Sequence, residues 1–229
     1  MNKTGINWCD LTWNPVTGCT KIMQGCKNCY AEGIAKRFWG DRKFSDIEFH
    51  ENRLQAKELK SKRGKVIFVN SMSDLFHETL QPEQVQKVLD VIKDHPQHTF
   101  LVLTKRIKNI SYFQLKDTPN LWLGYSASTQ KDLDAGVDYL LSSDAKTKWL
   151  SLEPLIEPII IHQTRIDWVV VGCESGYNRR LCNNEWINDI AWECKATNTP
   201  VWIKQIDIID RITDDIGEFP KHLQIREKP

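Results

Sequence analysis

Three cysteines fall within eleven positions in "GCTKIMQGCKNCYAE", residues 18–32: Cys19, Cys26 and Cys29, followed at once by Tyr30. Thiols this close serve a metal centre or redox exchange, or else pack as small apolar side chains. The Cys-x2-Cys spacing of the second pair lets two thiolates bend round one centre, whereas the Cys-x6-Cys gap before it needs an extra loop. Gly18 and Gly25 each precede a cysteine, and glycine there predicts a tight backbone turn. A structural zinc site takes four ligands, and the next candidates, Cys9 and His50, are separated from the cluster. Cys9 falls inside the first strand pattern, where packing is its default role. Three thiols with one open position suit an iron–sulfur cluster whose remaining iron takes a small molecule. Zinc and unligated thiols stay open as alternatives.

The elements that must position these residues follow from hydrophobic periodicity. Short β-branched runs recur at "KVIFVN" (65–70), "TFLVLT" (99–104), "NLWLGYS" (120–126), "KWLSLE" (148–153), "DWVVVG" (167–172) and "PVWIKQ" (200–205). Their weak polar alternation predicts strands covered on both faces. Between them, 81–95, 128–143 and 183–198 carry apolar residues at helical spacing, with Pro82 near the first helical position and Ser128 placed as an N-cap. With a first strand at "INWCDLTW" (6–13), the pattern predicts a single α/β domain over residues 1–209. It is a partial or complete parallel βα barrel of about six to seven βα units, TIM-barrel-like, with the cluster loop at 18–30. A doubly wound sheet is the alternative. Residues 210–229 read as a polar, loosely packed C-terminal tail.

Polar residues follow nearly every strand: Ser71–Asp74, Thr104–Arg106, Ser126 and Ser128, Glu153, Gly172–Ser175, then Lys204 and Gln205. In a parallel barrel these strand ends share one face, so they predict one pocket. The nine tryptophans read mainly as packing residues, with Trp13 and Trp39 flanking the cysteines.

The 229 residues carry 31 basic and 30 acidic side chains, a net charge of +1, which excludes strong bulk attraction to nucleic acid but leaves room for a local basic patch. No apolar run reaches the length of a membrane span, and the N-terminus lacks a signal-peptide core. An odd seven cysteines argue against a disulfide framework, so the expected location is the cytoplasm.

Beyond the cysteines, the chain resembles the radical S-adenosylmethionine (radical SAM) superfamily, and within it a phage-associated branch. The matching stretches are "TWNPVTGC", "GCKNCYAE", "VNSMSDLFHE", "QHTFLVLTKR", "LWLGYS", "SLEPL", "DWVVVGCESG" and "WIKQ", in that order over residues 12–205. Two departures stand out. Most of the superfamily uses Cys-x3-Cys-x2-Cys, and the related branch carries glycine where this chain has Cys173.

The resemblance implies an enzyme that binds a 4Fe–4S cluster through Cys19, Cys26 and Cys29, with SAM on the open iron. One electron then cleaves SAM to a 5′-deoxyadenosyl radical, which takes hydrogen from the substrate. By strand position, Ser73 and Asp74 would meet the SAM amino group, with Asp74 as a cap of the following turn the alternative, and Ser126 and Ser128 would meet its ribose or carboxylate. Lys105 and Arg106 would meet a carboxylate or phosphate, and Tyr30 the cluster or adenine. Glu153, Glu174, Lys204 and Cys173 are the remaining catalytic candidates, and Glu153 is also a candidate contact to SAM. For Cys173, as for Cys182 and Cys194, burial is the competing reading. Lys36, Arg37, Phe38 and Trp39 mix charge with stacking surface, a pattern compatible with nucleic acid. A nucleobase or nucleotide substrate in nucleic-acid modification or repair is expected by analogy. The implied partners are an electron donor such as flavodoxin or ferredoxin and a protein that completes the pocket. The alternative is a non-catalytic zinc or nucleic-acid-binding module on the same barrel.

Overall fold

The computed structural model describes residues 1–162, 165–176, 178–209 and 211–229. In chain order the strands are β1 (Asn2–Lys3), β2 (Leu11–Trp13), β3 (Val16–Thr17), β4 (Glu48–Phe49), β5 (Val66–Val69), β6 (Thr99–Thr104), β7 (Leu121–Ser126), β8 (Thr147–Leu152), β9 (Trp168–Gly172), β10 (Val201–Ile208) and β11 (Arg211–Thr213). Four α-helices accompany them: α1 (Tyr30–Phe38), α2 (Pro82–Lys93), α3 (Gln130–Ser142) and α4 (Asn184–Ala196). The main sheet runs β1-β2-β5-β6-β7-β8-β9-β10-β11. Its seven central strands are parallel, and β1 and β11 pair antiparallel at the edges. The order is linear, so the described strands make a curled, mostly parallel half-barrel in a mixed α/β domain.

Strand side chains divide by parity. Ile67, Phe100, Val102, Leu123, Leu150, Val171 and Ile203 face one core, together with the buried sides of α2, α3 and α4. Phe68, Leu101, Trp149, Trp168, Val170 and Trp202 face the other, to which no helix contributes among the described residues. With α2–α4 on one face alone, the doubly wound alternative does not hold. The concave face is closed by Trp8, whose ring lies 4.9 Å from Phe68, 5.6 Å from Trp149 and 5.9 Å from Trp168 in edge-to-face contacts.

The first strand is shorter than the sequence suggests: Trp8 and Cys9 precede β2 in a turn. Helices are also fewer. The β6–β7 link holds only a 3₁₀ turn at Ile107–Tyr112, and the described part of 153–167, interrupted by Pro154 and Pro158, holds no helix. The cap of α3 is Thr129, whose Oγ1 accepts from Asp132 N at 3.1 Å, and Ser128 is freed from that task.

The C-terminal segment is packed, contrary to its polar composition; Asp210 lies outside the described residues. β11 pairs with the end of β10, Ile203 N donates to Ile225 O at 3.0 Å, and Glu227 N donates to Val201 O at 2.9 Å. Phe219 and Leu223 are buried in the main core. The segment therefore covers the free edge of β10, as exposed strand edges require. Phe219→Ala should cost about 3–5 kcal/mol in urea unfolding. A loss below about 0.5 kcal/mol, the surface-residue range, would contradict a packed tail.

Candidate functional site

The cysteines lie on an excursion, residues 18–47, whose two ends are tied together by β3 and β4. Gly18 N donates to Met72 O at 3.0 Å and Cys19 N to Phe44 O at 2.8 Å. Gly18 has φ +97°, and a Cβ there would stand 2.5 Å from Asp46 O, so glycine is required, though in a parallel bridge to Ser73 rather than in the tight turn expected. Gly25 is needed for a different reason: a Cβ would fall 2.0 Å from Ser128 Oγ. The 3₁₀ turn Gln24–Cys26 thus rests directly on the end of β7, and Ser128 serves as its buried seat.

A cavity of about 420 Å³ lies where this excursion covers the C-terminal ends of the strands. Cys19, Cys26 and Cys29 line it, and so do Ser73, Asp74, Lys105, Arg106, Ser126, Glu153, Cys173, Glu174, Lys204 and Tyr30. The single pocket read from the strand ends is therefore present. Ser128 does not line it. Trp8, Phe68 and Leu103 give it an apolar floor.

Inside the cavity, many expected ligand contacts are spent on the protein itself. Asp74 Oδ1 accepts from Thr104 Oγ1 (2.8 Å) and Phe76 N (3.0 Å), and Oδ2 from Lys105 N (3.0 Å). Ser73 Oγ donates to Val16 O at 2.9 Å. Arg106 donates through Nε to Glu78 Oε2 (2.5 Å) and through Nη2 to Thr20 Oγ1 (2.8 Å) and Thr20 O (3.1 Å). Its Nη1 lies 3.6 Å from Cys19 Sγ and 3.5 Å from Asp74 Oδ2. These residues build the wall that holds the cysteine segment. Tyr30 donates its phenol to Ser71 O at 2.9 Å.

The groups facing the cavity from the opposite strands are less committed. Lys105 Nζ donates to Ser126 Oγ at 2.5 Å. Lys204 Nζ is 2.7 Å from Glu153 Oε1, an ion pair, although that oxygen has no hydrogen bond of good geometry. Ser151 Oγ donates to Glu153 Oε2 at 3.1 Å. Asn70, absent from the sequence reading, lines the cavity at φ +61°. Its Oδ1 accepts from Val16 N at 3.1 Å, while its buried Nδ2 has no partner among the described residues. Its position at the end of a strand was the only signal the sequence offered.

Glu174 is a clasp between two loops. Its Oε2 accepts from Asn28 Nδ2 (2.9 Å), Arg180 N (2.8 Å) and Arg180 Nε (3.0 Å), and Oε1 pairs with Arg180 Nη2. Arg180 Nη2 also donates to Gln24 O at 3.2 Å, and Asn28 Nδ2 to Asn178 O at 2.9 Å. Gly176 lets the backbones close, since a Cβ there would stand 2.0 Å from Asn28 O. The segment after β9 thus grips the cysteine segment at Gln24 and Asn28, whereas Arg106 holds it at Cys19 and Thr20.

The thiols differ. Burial, with the Asp74 charge adding and Arg106 opposing, pushes Cys19 up to about 12. Burial also raises Cys29, while the amide N–H groups of Glu32 and Ala31 at the start of α1 pull it down. Cys173 is raised by a hydrogen bond with Cys182 and then by burial, and its Sγ is 3.6 Å from Gln205 O. It is buried, as are Cys182 and Cys194. Cys9 and His50 do not line the cavity, and His50 Nε2 bonds with Thr17 Oγ1 at 2.8 Å. Among the described residues, no three His, Cys, Asp or Glu side chains gather as a single ion would need. Thiolates on one zinc lie within about 4 Å of each other. A cluster spreads its thiolates over a larger body, and three thiols from one excursion on one cavity, with Cys173 as a further buried thiol of its lining, are a donor set that fits a cluster with an open position. Ligation would have to displace the thiol protons.

Residues 3–214 match the family described as "Protein of unknown function (DUF5131)". The chain belongs to that family. No curated protein matches the chain, and no solved structure matches it. No helix among the described residues is long and apolar enough to cross a membrane.

The clasp makes a pH-dependent prediction. Burial alone would raise the Glu174 carboxyl, but its bonds from Arg180 and Asn28 outweigh that and hold it below its ordinary value. The folded state therefore keeps the carboxylate ionised to lower pH than the unfolded chain, and the stabilisation, complete at neutral pH, is lost as pH falls through the carboxylate range. Glu174→Gln should cost about 1–3 kcal/mol at neutral pH. Its deficit against wild type should shrink below about pH 4. A deficit that stays constant on acidification would contradict an ionic clasp.

Proposed function

We propose that this protein is a radical SAM enzyme whose cluster is held by Cys19, Cys26 and Cys29. The observation that carries the reading is convergence: three thiols from one excursion and polar groups from successive parallel strands line one cavity of about 420 Å³. That volume lies in the range of sites for one nucleoside-sized ligand. When bound, the cluster supplies one electron that reductively opens the sulfonium of SAM, giving methionine and a 5′-deoxyadenosyl radical that takes hydrogen from the substrate.

The chain's own residues have separable tasks in this reading. Arg106 places positive charge 3.6 Å from Cys19 Sγ, favouring the thiolate that ligation needs. The Glu153–Lys204 pair and the Lys105–Ser126 pair offer both charges to the amino-acid and ribose groups of SAM. Asn70 Nδ2 is a buried donor awaiting an acceptor; leaving such a group unpaired costs about 1–3 kcal/mol, which a ligand oxygen would recover. Trp8 and Phe68 keep water from the cavity floor. The Asp74 carboxylate, fully engaged with Thr104, Phe76 and Lys105, serves to shape this wall. The substrate class implied by analogy with the phage-associated branch it resembles is a nucleobase or nucleotide, with a flavodoxin- or ferredoxin-type protein as electron donor.

The test is anaerobic reconstitution with iron and sulfide, followed by incubation with SAM and dithionite. Formation of 5′-deoxyadenosine and methionine is expected, with loss in Cys26→Ala. Stoichiometric zinc without iron, and intact SAM, would instead indicate the non-catalytic binding module.

A further inference from the structure

We propose that the exposed face of α1 docks an unpaired nucleic-acid strand and presents one of its bases to the cavity. This rests on the radical SAM reading in one respect. A cavity of about 420 Å³ that must hold SAM beside a cluster leaves little room for a second complete ligand, so the substrate has to be delivered from outside.

α1 begins at the cavity rim, because Cys29 is its N-cap residue and Tyr30, its first residue, lines the cavity. From there Tyr30, Ile34 and Phe38, spaced four apart, form an exposed stripe, with Phe38 69% exposed. An aromatic ring left this open on a charged helix offers a stacking surface that the core does not use. The guanidinium of Arg37 lies 5.1 Å from the centre of the Phe38 ring and forms no ion pair among the described residues. Lys36, largely exposed and 3.2 Å from Glu32 Oε1, adds a second positive charge that is already ion-paired within the helix. Residues 21–43 hold six basic and two acidic side chains; Lys21 and Lys36 share Glu32 and Arg42 pairs with Glu48, so Lys27, Arg37 and Lys43 carry charge without an ion pair among the described residues. Such a basic patch is complementary to a polyanion, and stackable aromatic surface beside it favours bases over an acidic protein surface.

Gly33 supplies a separate indication. It lies in the interior of α1, exposed, and a Cβ there would meet nothing within 4 Å. Glycine weakens a helix interior, and neither packing nor backbone conformation requires it at this position. A bare backbone in the centre of the exposed face does allow a phosphate-bearing strand to approach closely.

The experiment measures fluorescence anisotropy of a labelled single strand of about 15 nucleotides, as DNA and as RNA, with the full chain free of added iron and SAM. Binding by at least one strand is expected, weakening steeply with salt. Phe38→Ala should weaken it about tenfold or more, one base stack lost. Arg37→Gln should flatten the slope of log Kd against log salt by about 0.7. Gly33→Gln should raise the melting temperature yet weaken binding, a combination that misfolding cannot produce. The proposal is overturned if neither strand binds, if these variants bind as wild type does, or if poly-glutamate competes as well as the strand, which would mark an acidic protein partner. Because no cluster is needed for this readout, its failure leaves SAM cleavage intact, and failure of SAM cleavage leaves it intact.

Discussion

The guanidinium of Arg106, only 7% exposed, needs a partner for each of its donors, since a buried cation left unpaired costs several kcal/mol. It finds them in Glu78, Asp74, Thr20 and the sulfur of Cys19. Asp74 is itself fixed by the end of β6. The same set of contacts therefore satisfies the charges and ties the first cysteine to the sheet. Because Thr20 and Cys19 are neighbours, the place where the excursion leaves β3 is determined by the strand ends of β5 and β6. The Glu174–Arg180 clasp, reaching Gln24 and Asn28, does the corresponding work near the second and third cysteines.

These anchors need a rigid base, which the concave face provides. Trp8, Trp149 and Trp168 fill the half-barrel with apolar surface, where a curled open sheet would otherwise expose its inner face to water. Gly124 makes space for this arrangement: a Cβ there would lie 2.3 Å from the Trp149 ring. Polar side chains are then confined to the strand ends, so the site sits at the boundary between a dry floor and a charged rim.

Much of this was legible in the sequence because it depends on local pattern. β-branched runs such as "KVIFVN" and "DWVVVG" specify buried strands, Pro82 marks the start of α2, and polar residues at successive strand ends imply a common pocket. What the sequence could not supply is the partner of each polar group. Asp74 reads either as a ligand-facing carboxylate or as the cap of the following turn; its bond from Phe76 N agrees with the cap, while those from Thr104 and Lys105 N could not be foreseen. Glu174 reads as one of several catalytic candidates, and nothing in the sequence shows that Arg180 and Asn28 close on it. Ser128 reads as a cap, although the cap lies one residue later and Ser128 meets Gly25 across the fold. The tail misleads for another reason: its apolar residues are too sparse for periodicity, yet Phe219 and Leu223 reach the core.

Mössbauer spectroscopy of the full chain reconstituted with iron-57, recorded with and without SAM, addresses the proposed centre most directly. Three cysteine thiolates and one open position should give a cubane in which one iron changes its isomer shift when SAM binds. Iron bound in any other form, or a cluster whose irons all stay unchanged on adding SAM, would contradict a SAM-binding cluster at Cys19, Cys26 and Cys29.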